Sequence, residues 1–160
     1  MRVDLVSAAF DPAALLADFT ARADGAGGIV SFTGHARGNN RAGAPIEELR
    51  LDIYRGMTLA SMEAIAADAC ARFAISHAHV VHRYGSMKPG EAIVFVATAS
   101  AHRRAAFDAA DYMMDRLKTE AIFWKQEVGP TGKHWIEPTA ADQDDVARWS
   151  KIQDKSNARN

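Results

Sequence analysis

Hydrophobic and polar positions follow two different periods along the chain. Strict alternation over residues 48–54 is typical of a half-buried strand. Apolar residues at three- and four-residue steps over residues 59–73 indicate an amphipathic helix. The same spacing predicts a second long helix over residues 100–118, with Ser100 as its N-cap. The unbroken apolar run at residues 93–97 predicts a central strand that is covered on both faces.

Shorter elements complete a predicted order of β-α-β-β-α-β-β-α-β-β. They are strands at residues 3–6, 29–33, 78–84, 122–128 and 134–137, helices after Asp11-Pro12 and over residues 142–152, and a turn at residues 87–90. This order predicts an α+β fold, a single domain with one mixed sheet and two long helices packed on one of its faces. We assign residues 1–138 to this domain and residues 139–160 to a C-terminal helix and polar tail, of which the last eight residues are expected to fray.

Composition narrows the class of function. The 160 residues suit one globular domain, and a formal net charge of -1 gives no basis for nucleic-acid binding. No apolar run approaches the roughly 20 residues that span a bilayer. Asp4 interrupts the N-terminal segment where a signal peptide would be continuously apolar. We therefore expect a cytoplasmic protein without membrane contacts.

Cysteine and histidine usage bears on sulfur and metal chemistry. Cys70 is the only cysteine, so no intramolecular disulfide can form. It lies on the apolar side of a predicted helix, which favours a packing residue over a nucleophile, and any reactive sulfur would come from another molecule. His77, His79 and His82 cluster along the sequence, and His77 and His79 would share a strand face as a possible metal pair, but no cysteine or carboxylate stands beside them in a ligand pattern. We interpret them as surface or edge residues and predict no metal site and no cofactor.

Cations cluster at three places on this nearly neutral chain. The first is the loop at residues 35–37, with Arg41 beyond it, and the second is the helix start at residues 102–104, where free backbone N–H groups favour an anion. The third is Lys118 with Lys125. A solvated surface explains the helix start about equally well, and Lys118 fits a simple helix-end charge. Large aromatic neighbours on a strand predict that Lys125 is partly desolvated, which would suit it to nucleophilic or acid–base chemistry.

Six segments, in order and with little change of spacing, resemble the catalytic (large) subunit of molybdopterin synthase. They are residues 29–37, 51–57, 81–85, 100–103, 114–118 and 123–127. The resemblance implies an α/β-hammerhead-like fold and a sulfurtransferase that converts cyclic pyranopterin monophosphate (precursor Z) to molybdopterin in molybdenum cofactor biosynthesis. It also implies a ubiquitin-like small subunit whose C-terminal Gly-Gly carries a thiocarboxylate. A homodimer of large subunits would make the complete enzyme a heterotetramer.

The resemblance further implies a role for individual positions. Lys118 and Lys125 match the catalytic lysines, which also bind substrate. The other implied substrate-binding residues are His35, Ala36, Arg37, His102, Arg103, Gln126 and Glu127. In the family the pair at positions 102 and 103 can reach the site across the dimer interface. A phosphate and a thiocarboxylate held close together suit arginine forks and lysine point charges.

Two segments depart from the family pattern. His35 stands where lysine is frequent, which makes the charge there sensitive to pH near neutrality. Glu120 and Ile122 stand where a basic residue and a proline are typical, so we expect a less constrained approach to Lys125.

Alternatives remain open at this point. A non-catalytic module that binds an acidic peptide or nucleotide, or a structural subunit, would fit the same cations. Within the enzyme hypothesis, a lysine could attack the acyl carbon of the donor or only stabilise developing charge.

Overall fold

A computed structural model describes the backbone of residues 1–157 and the side chains of residues 1–54 and 56–150. The elements in this part of the chain are β1 (Arg2–Val6), α1 (Pro12–Arg22), β2 (Gly28–His35), β3 (Glu48–Ile53), α2 (Arg55–Arg72), β4 (His77–Arg83), β5 (Gly85–Met87), β6 (Ala92–Ser100), α3 (Arg103–Thr119), β7 (Phe123–Gly129), β8 (Gly132–Ile136) and α4 (Ala140–Asn157). Among the described residues, no helix combines the length and apolar character needed to cross a bilayer.

The first sheet has four strands in the order β1-β4-β6-β2. The β1–β4 pair is parallel, whereas β4–β6 and β6–β2 are antiparallel. Residues 94–100 of β6 are all buried, so the predicted central strand is confirmed. A strand that is covered on both faces does not need to alternate between apolar and polar residues, which explains its continuous apolar run.

The second sheet is antiparallel, with the strand order β5-β3-β7-β8. The predicted single α+β domain is confirmed, but the prediction of one mixed sheet is wrong. Strand β5, whose last residue falls in the predicted turn, pairs Met87 with Leu49 of β3. Gly85, the first residue of β5, has a φ of +86°, a backbone conformation that glycine adopts without steric cost. At three residues, β5 is too short to show a period in the sequence.

Helices cover both faces of the first sheet. Val80 and Val96 point towards α2 and α3 and belong to the largest hydrophobic cluster. Val81 and Phe95 point the other way and pack with Phe19 of α1. The expectation that the helices share one face is therefore wrong for α1, because successive residues of a buried strand offer an apolar side chain to each face in turn.

The C-terminal helix is longer than predicted. It begins at Ala140 and continues to Asn157 through part of the segment that is expected to fray, and the rest of that segment, residues 158–160, lies outside the described residues. Trp149 is buried in the main cluster, where its ring meets those of Phe73 and Tyr112 edge to face. Its indole N–H donates to Asp115 of α3 at 2.7 Å. These contacts fix α4 against α3.

The start of α3 is two to three residues later than predicted. His102 is the N-cap and makes no capping hydrogen bond with its side chain. The hydroxyl of Ser100 instead accepts a hydrogen bond from the backbone N–H of His102 at 3.1 Å and donates one to the carbonyl of Ala74 at 2.7 Å. Ser100 thus closes the turn that precedes the helix.

Candidate active site

Lys125 is the half-buried centre of the candidate site. It lies on β7 between Leu51 of β3 and Ile136 of β8. Phe123 and Glu127 share its face of the strand, and Phe123 packs on a small cluster that includes Leu51. Burial in these surroundings lowers the pKa of Lys125, while the charge of Glu127 opposes the shift. The predicted partial desolvation of this lysine is confirmed.

Three further cations act on Lys125 through their charge. Arg37, Lys118 and Arg41 each lower its pKa by their positive charge. Arg37 and Arg41 belong to the loop after β2, and Lys118 lies in the last turn of α3. The connection from α3, which ends at Thr119, to β7, which begins at Phe123, is short, so Lys118 and Lys125 lie close together along the chain.

That connection is held by hydrogen bonds from α2. The hydroxyl of Thr58, which is fully buried, donates to the carbonyl of Ile122 at 2.6 Å, and the backbone N–H of Ile122 donates to Ser61 at 3.4 Å. Glu120 accepts from Arg116 at 2.7 and 2.8 Å, one helical turn back. These hydrogen bonds restrain the approach to Lys125, and the expectation that it is less constrained than in relatives with a proline there stays a prediction.

Lys118 forms an ion pair with Asp142, a residue that the sequence analysis did not assign to the site. Asp142 is buried in the first turn of α4, whereas the Lys118 side chain is about half exposed. Burial raises the pKa of this carboxyl, but hydrogen bonds from Lys118 and Thr139 outweigh it and lower the pKa to about 2. This ion pair explains the position of Lys118 better than a favourable interaction with the C-terminal end of α3 alone does.

The position of Asp142 follows from a capping arrangement. The backbone N–H and the hydroxyl of Thr139 both donate to Asp142 Oδ2 at 2.8 Å. The pattern Thr-x-x-Asp before a helix is a recognised N-terminal signature, in which the two residues satisfy each other's polar groups. This signal was present in the sequence and could have identified the start of α4. The guanidinium of Arg41 lies beside the same threonine, with Nη2 3.4 Å from its hydroxyl oxygen.

The loop after β2 is anchored at Ala36. Ala36 is buried, its N–H donates to the carbonyl of Glu91 at 2.9 Å, and its carbonyl accepts from Gly90 at 2.8 Å. His35 and Arg37 on either side are exposed. The buried alanine therefore fixes the backbone while its neighbours present their side chains to a ligand.

Gln126 and Glu127 continue the Lys125 strand on opposite faces. Gln126 is buried and pairs with Arg50 and Trp135 in the register of the second sheet. Glu127 is half buried on the face of Lys125. Of these two residues, only Glu127 lies on the same face of β7 as Lys125. Gln126 would therefore have to contact a ligand from the other face or through its backbone.

His82 is a neutral residue close to Lys125 and Phe123. Its ring stacks on Phe123 with 4.0 Å between centroids, and Nδ1 lies 3.0 Å from the carbonyl oxygen of Arg83. Burial, with a smaller contribution from the charge of Lys125, lowers its pKa to about 4. His79 is also buried, 2.8 Å from Asp4. The interpretation of these two histidines as surface or edge residues is wrong, because both project into the packed interior.

Metal-ligating residues and the single cysteine were also candidates for chemistry. Within residues 1–54 and 56–150, whose side chains the structure describes, no group of three or more His, Cys, Asp or Glu side chains could hold a metal ion. Cys70 is half buried, packs against the main cluster, and burial raises the pKa of its thiol. A thiol with a raised pKa is a weak nucleophile, which fits the interpretation of Cys70 as a packing residue.

His102 and Arg103 lie at the other end of α3 from Lys118. The helix contains 17 residues, so Arg103 and Lys118 are separated by about 22 Å along its axis. Both residues at this end are exposed. The backbone of Gly28 passes close to this corner, since a Cβ there would meet the Cα of Arg103 at 3.4 Å. Within one chain, the structure does not bring this pair to the lysines.

Comparison with known proteins shows the family to which the chain belongs. Residues 5–120 match the family model described as MoaE protein. The molybdopterin synthase catalytic subunit of Caulobacter vibrioides is 48% identical over 151 residues, which cover 94% of this chain and 99% of that protein. The chain belongs to the MoaE family. The family resemblance inferred from the six segments is thereby confirmed.

Solved structures agree with the fold. The molybdopterin biosynthesis MoaE protein from Burkholderia ambifaria superposes with a TM-score of 0.78 at 36% identity, covering 93% of this chain and 97% of that one. A complex of subunits 1 and 2 of molybdopterin-converting factor from Helicobacter pylori matches with a TM-score of 0.70 at 18% identity, over 83% of this chain and 88% of the matched chain. At that identity the second likeness supports the fold alone.

Proposed function

We propose that this member of the MoaE family is the catalytic subunit of a molybdopterin synthase and acts in the cytoplasm, as expected from the sequence. It would convert cyclic pyranopterin monophosphate to molybdopterin with two sulfurs from a thiocarboxylated small subunit. The relative from Caulobacter carries the name of this subunit and is matched over nearly its whole length. The observation that carries the proposal is the half-buried Lys125, whose pKa is lowered by burial and by the charges of Arg37, Lys118 and Arg41.

The lysines fit the sulfur-transfer centre. A thiocarboxylate tail is anionic, and its acyl carbon develops a negative oxygen during transfer, so an ammonium beside it stabilises both states. Lys118 already binds one carboxylate, that of Asp142, and an incoming tail of the same charge and shape could replace it. Lys125 is desolvated, so more of it is neutral at a given pH and able to move a proton or attack carbon.

The arginines and histidines fit the phosphate of the pterin. Arg37 is exposed beside the cluster and can form two parallel hydrogen bonds to a phosphate. His35 lies two residues before it on the same anchored loop. His102 and Arg103 lie about 22 Å from Lys118 within one chain, so we propose that a second copy of the chain supplies them.

The separation of His102 and Arg103 from Lys118 along α3 also bears on the assembly. We propose a dimer of this chain, with a ubiquitin-like small subunit on each copy whose Gly-Gly tail enters beside Lys118. The matching Helicobacter pylori structure is a complex of two molybdopterin-converting factor subunits, which supports a partner of this kind.

Product formation tests the proposal. Purified chain, thiocarboxylated small subunit and cyclic pyranopterin monophosphate are mixed, and the dithiolene product is measured by chromatography after oxidation to a fluorescent pterin. We expect product that depends on all three components. If the wild-type chain, folded and bound to its partner, makes none, the enzyme hypothesis is wrong and a binding module remains.

Lys125→Arg separates the two roles of that lysine. Arginine keeps the positive charge but cannot lose its proton in a protein. If Lys125 only stabilises charge, the variant keeps much of the turnover that Lys125→Ala loses. If Lys125 must be neutral to attack or to move a proton, both variants fail equally.

A further inference from the structure

Arg41 lies at the tip of a turn that the loop between β2 and β3 builds with its own hydrogen bonds. The side-chain oxygen of Asn40 accepts from the N–H groups of Ala42 and Ala44 at 3.0 and 2.9 Å. The N–H of Asn40 donates to the carbonyl of Ala44 at 2.9 Å, and Gly43 closes the turn with a φ of +83°. The backbone of Arg41 is therefore held in place before a ligand arrives, which lowers the entropic cost of binding.

The side chain of Arg41 extends towards the other cations of the candidate site, which are Arg37, Lys118 and Lys125; the four residues together are called the cationic cluster. Its Nη2 lies 3.4 Å from the hydroxyl of Thr139, and that hydroxyl is hydrogen bonded to the carboxylate of Asp142. The other oxygen of Asp142 binds Lys118. Arg41 also lowers the pKa of Lys125 by its charge. The contact with Thr139 thus joins Arg41 to Lys118 through Asp142, and the charge of Arg41 also acts on Lys125.

The cluster is only partly neutralised by the chain's own acids. Glu127 offsets Lys125, and Asp142 offsets Lys118. Among the described residues, none of the ion pairs includes Arg37 or Arg41. By contrast, Arg50 and Arg116 each pair with a carboxylate within 3.0 Å. A preorganised guanidinium next to two lysines, without an acid of its own, favours an anionic ligand.

We propose that Arg41 is a further ligand-binding residue of this site and receives an anionic group of an incoming ligand. A guanidinium pairs with a phosphate or a carboxylate in the same forked geometry. The group would be the phosphate of the pterin or the thiocarboxylate of the donor tail. The inference rests on the proposed function, since it adds a residue to the same site.

Binding constants measured without turnover distinguish the two sources. Titration calorimetry gives the dissociation constant of cyclic pyranopterin monophosphate and, separately, of the small subunit for wild type, Arg41→Gln, Arg41→Lys and Arg50→Gln. We expect Arg41→Gln to weaken one of the two constants by about tenfold or more, because a hydrogen bond to a charged group is lost. Arg41→Lys should recover part of the loss. Arg50→Gln, which removes an exposed arginine paired with Asp52, should match wild type.

The outcomes either identify the anionic group that Arg41 binds or refute the proposal. A weaker constant for the pterin assigns the phosphate, and a weaker constant for the small subunit assigns the tail. Equal constants in wild type and Arg41→Gln, with only a lower thermal midpoint, would show that Arg41 merely holds Thr139 and the start of α4. Failure of the proposed function looks different, since the wild-type chain would then bind neither ligand.

Discussion

The two ends of α3 carry the same kind of side chain in opposite surroundings. At the C-terminal end, Lys118 pairs with the buried Asp142 and lies beside a desolvated lysine. At the N-terminal end, His102 and Arg103 are exposed, and the helix has no side-chain cap. One end is a site that the chain completes with its own β7, β2 loop and α4. The other end is proposed to be half of a site that a second copy of the chain completes.

The difference teaches how to interpret cations on a neutral chain. Long-range packing pairs Lys118 with a buried carboxylate, and the pKa of the neighbouring Lys125 is lowered. Such packing removes charged groups from water at a cost in free energy, which indicates a chemical role for the site. Exposed cations at a helix start remain in water, so they cost no desolvation free energy and do not by themselves indicate a chemical role. Their proposed role depends on a second chain, which would bring them to the lysines of the first.

The largest expected effect is at the lysine end. Lys125→Ala and Lys118→Ala should each reduce turnover by about 100-fold or more, because both remove charge from the place where a negative oxygen develops. Steady-state rates of dithiolene formation measure this loss. Circular dichroism should remain that of wild type, and Lys133→Ala, on the exposed strand β8, should keep full activity. Normal rates in both lysine variants would contradict the assignment of the centre.

A smaller effect is expected at the exposed end. The double variant His102→Ala/Arg103→Ala should raise KM for the pterin by about tenfold or more, since contacts to a phosphate are lost, and should leave kcat within about twofold. Its unfolding midpoint in urea should not change, because neither side chain is buried. An altered midpoint with an unchanged KM would show that these residues stabilise the fold rather than bind substrate.

Acid should destabilise the lysine end before it affects the exposed end. His82 has its pKa lowered to about 4, so the unfolded chain binds more protons than the folded chain between about pH 6.5 and pH 4. Stability must therefore fall as pH falls through this window, by about 3 kcal/mol at most. Urea unfolding at several pH values measures the slope. His82→Gln should flatten it, and an unchanged slope would contradict the assignment to His82.

The smallest effect concerns Asp142. Its folded pKa of about 2 lies below the usual value for aspartate, so its contribution to stability is complete above about pH 4 and disappears as pH falls through 2. Asp142→Asn should cost about 1–3 kcal/mol at pH 7 and flatten the stability curve only at the acid end. Asp144→Asn, at an exposed position of the same helix, is the matched control. Equal losses in both variants would show that Asp142 has no special contact.

Much of this arrangement could be predicted from local patterns. The continuous apolar run of β6 indicated its central position, and the aromatic neighbours of Lys125 indicated its desolvation. Local patterns could not show that the strands divide into two sheets, because β5 has only three residues. They could not pair Lys118 with Asp142 either, since packing of α4 on α3 makes that contact across 24 positions of the sequence.

Mixed dimers test most directly the claim that the two ends of α3 serve one site from two chains. Lys125→Ala chains and His102→Ala/Arg103→Ala chains are assembled together with small subunit, and kcat/KM is measured at low pterin concentration. In each mixed dimer one of the two sites regains both of its halves, so random assembly should restore about a quarter of the wild-type value. A mixture with a kcat/KM no higher than the average of its two parent variants would contradict the claim.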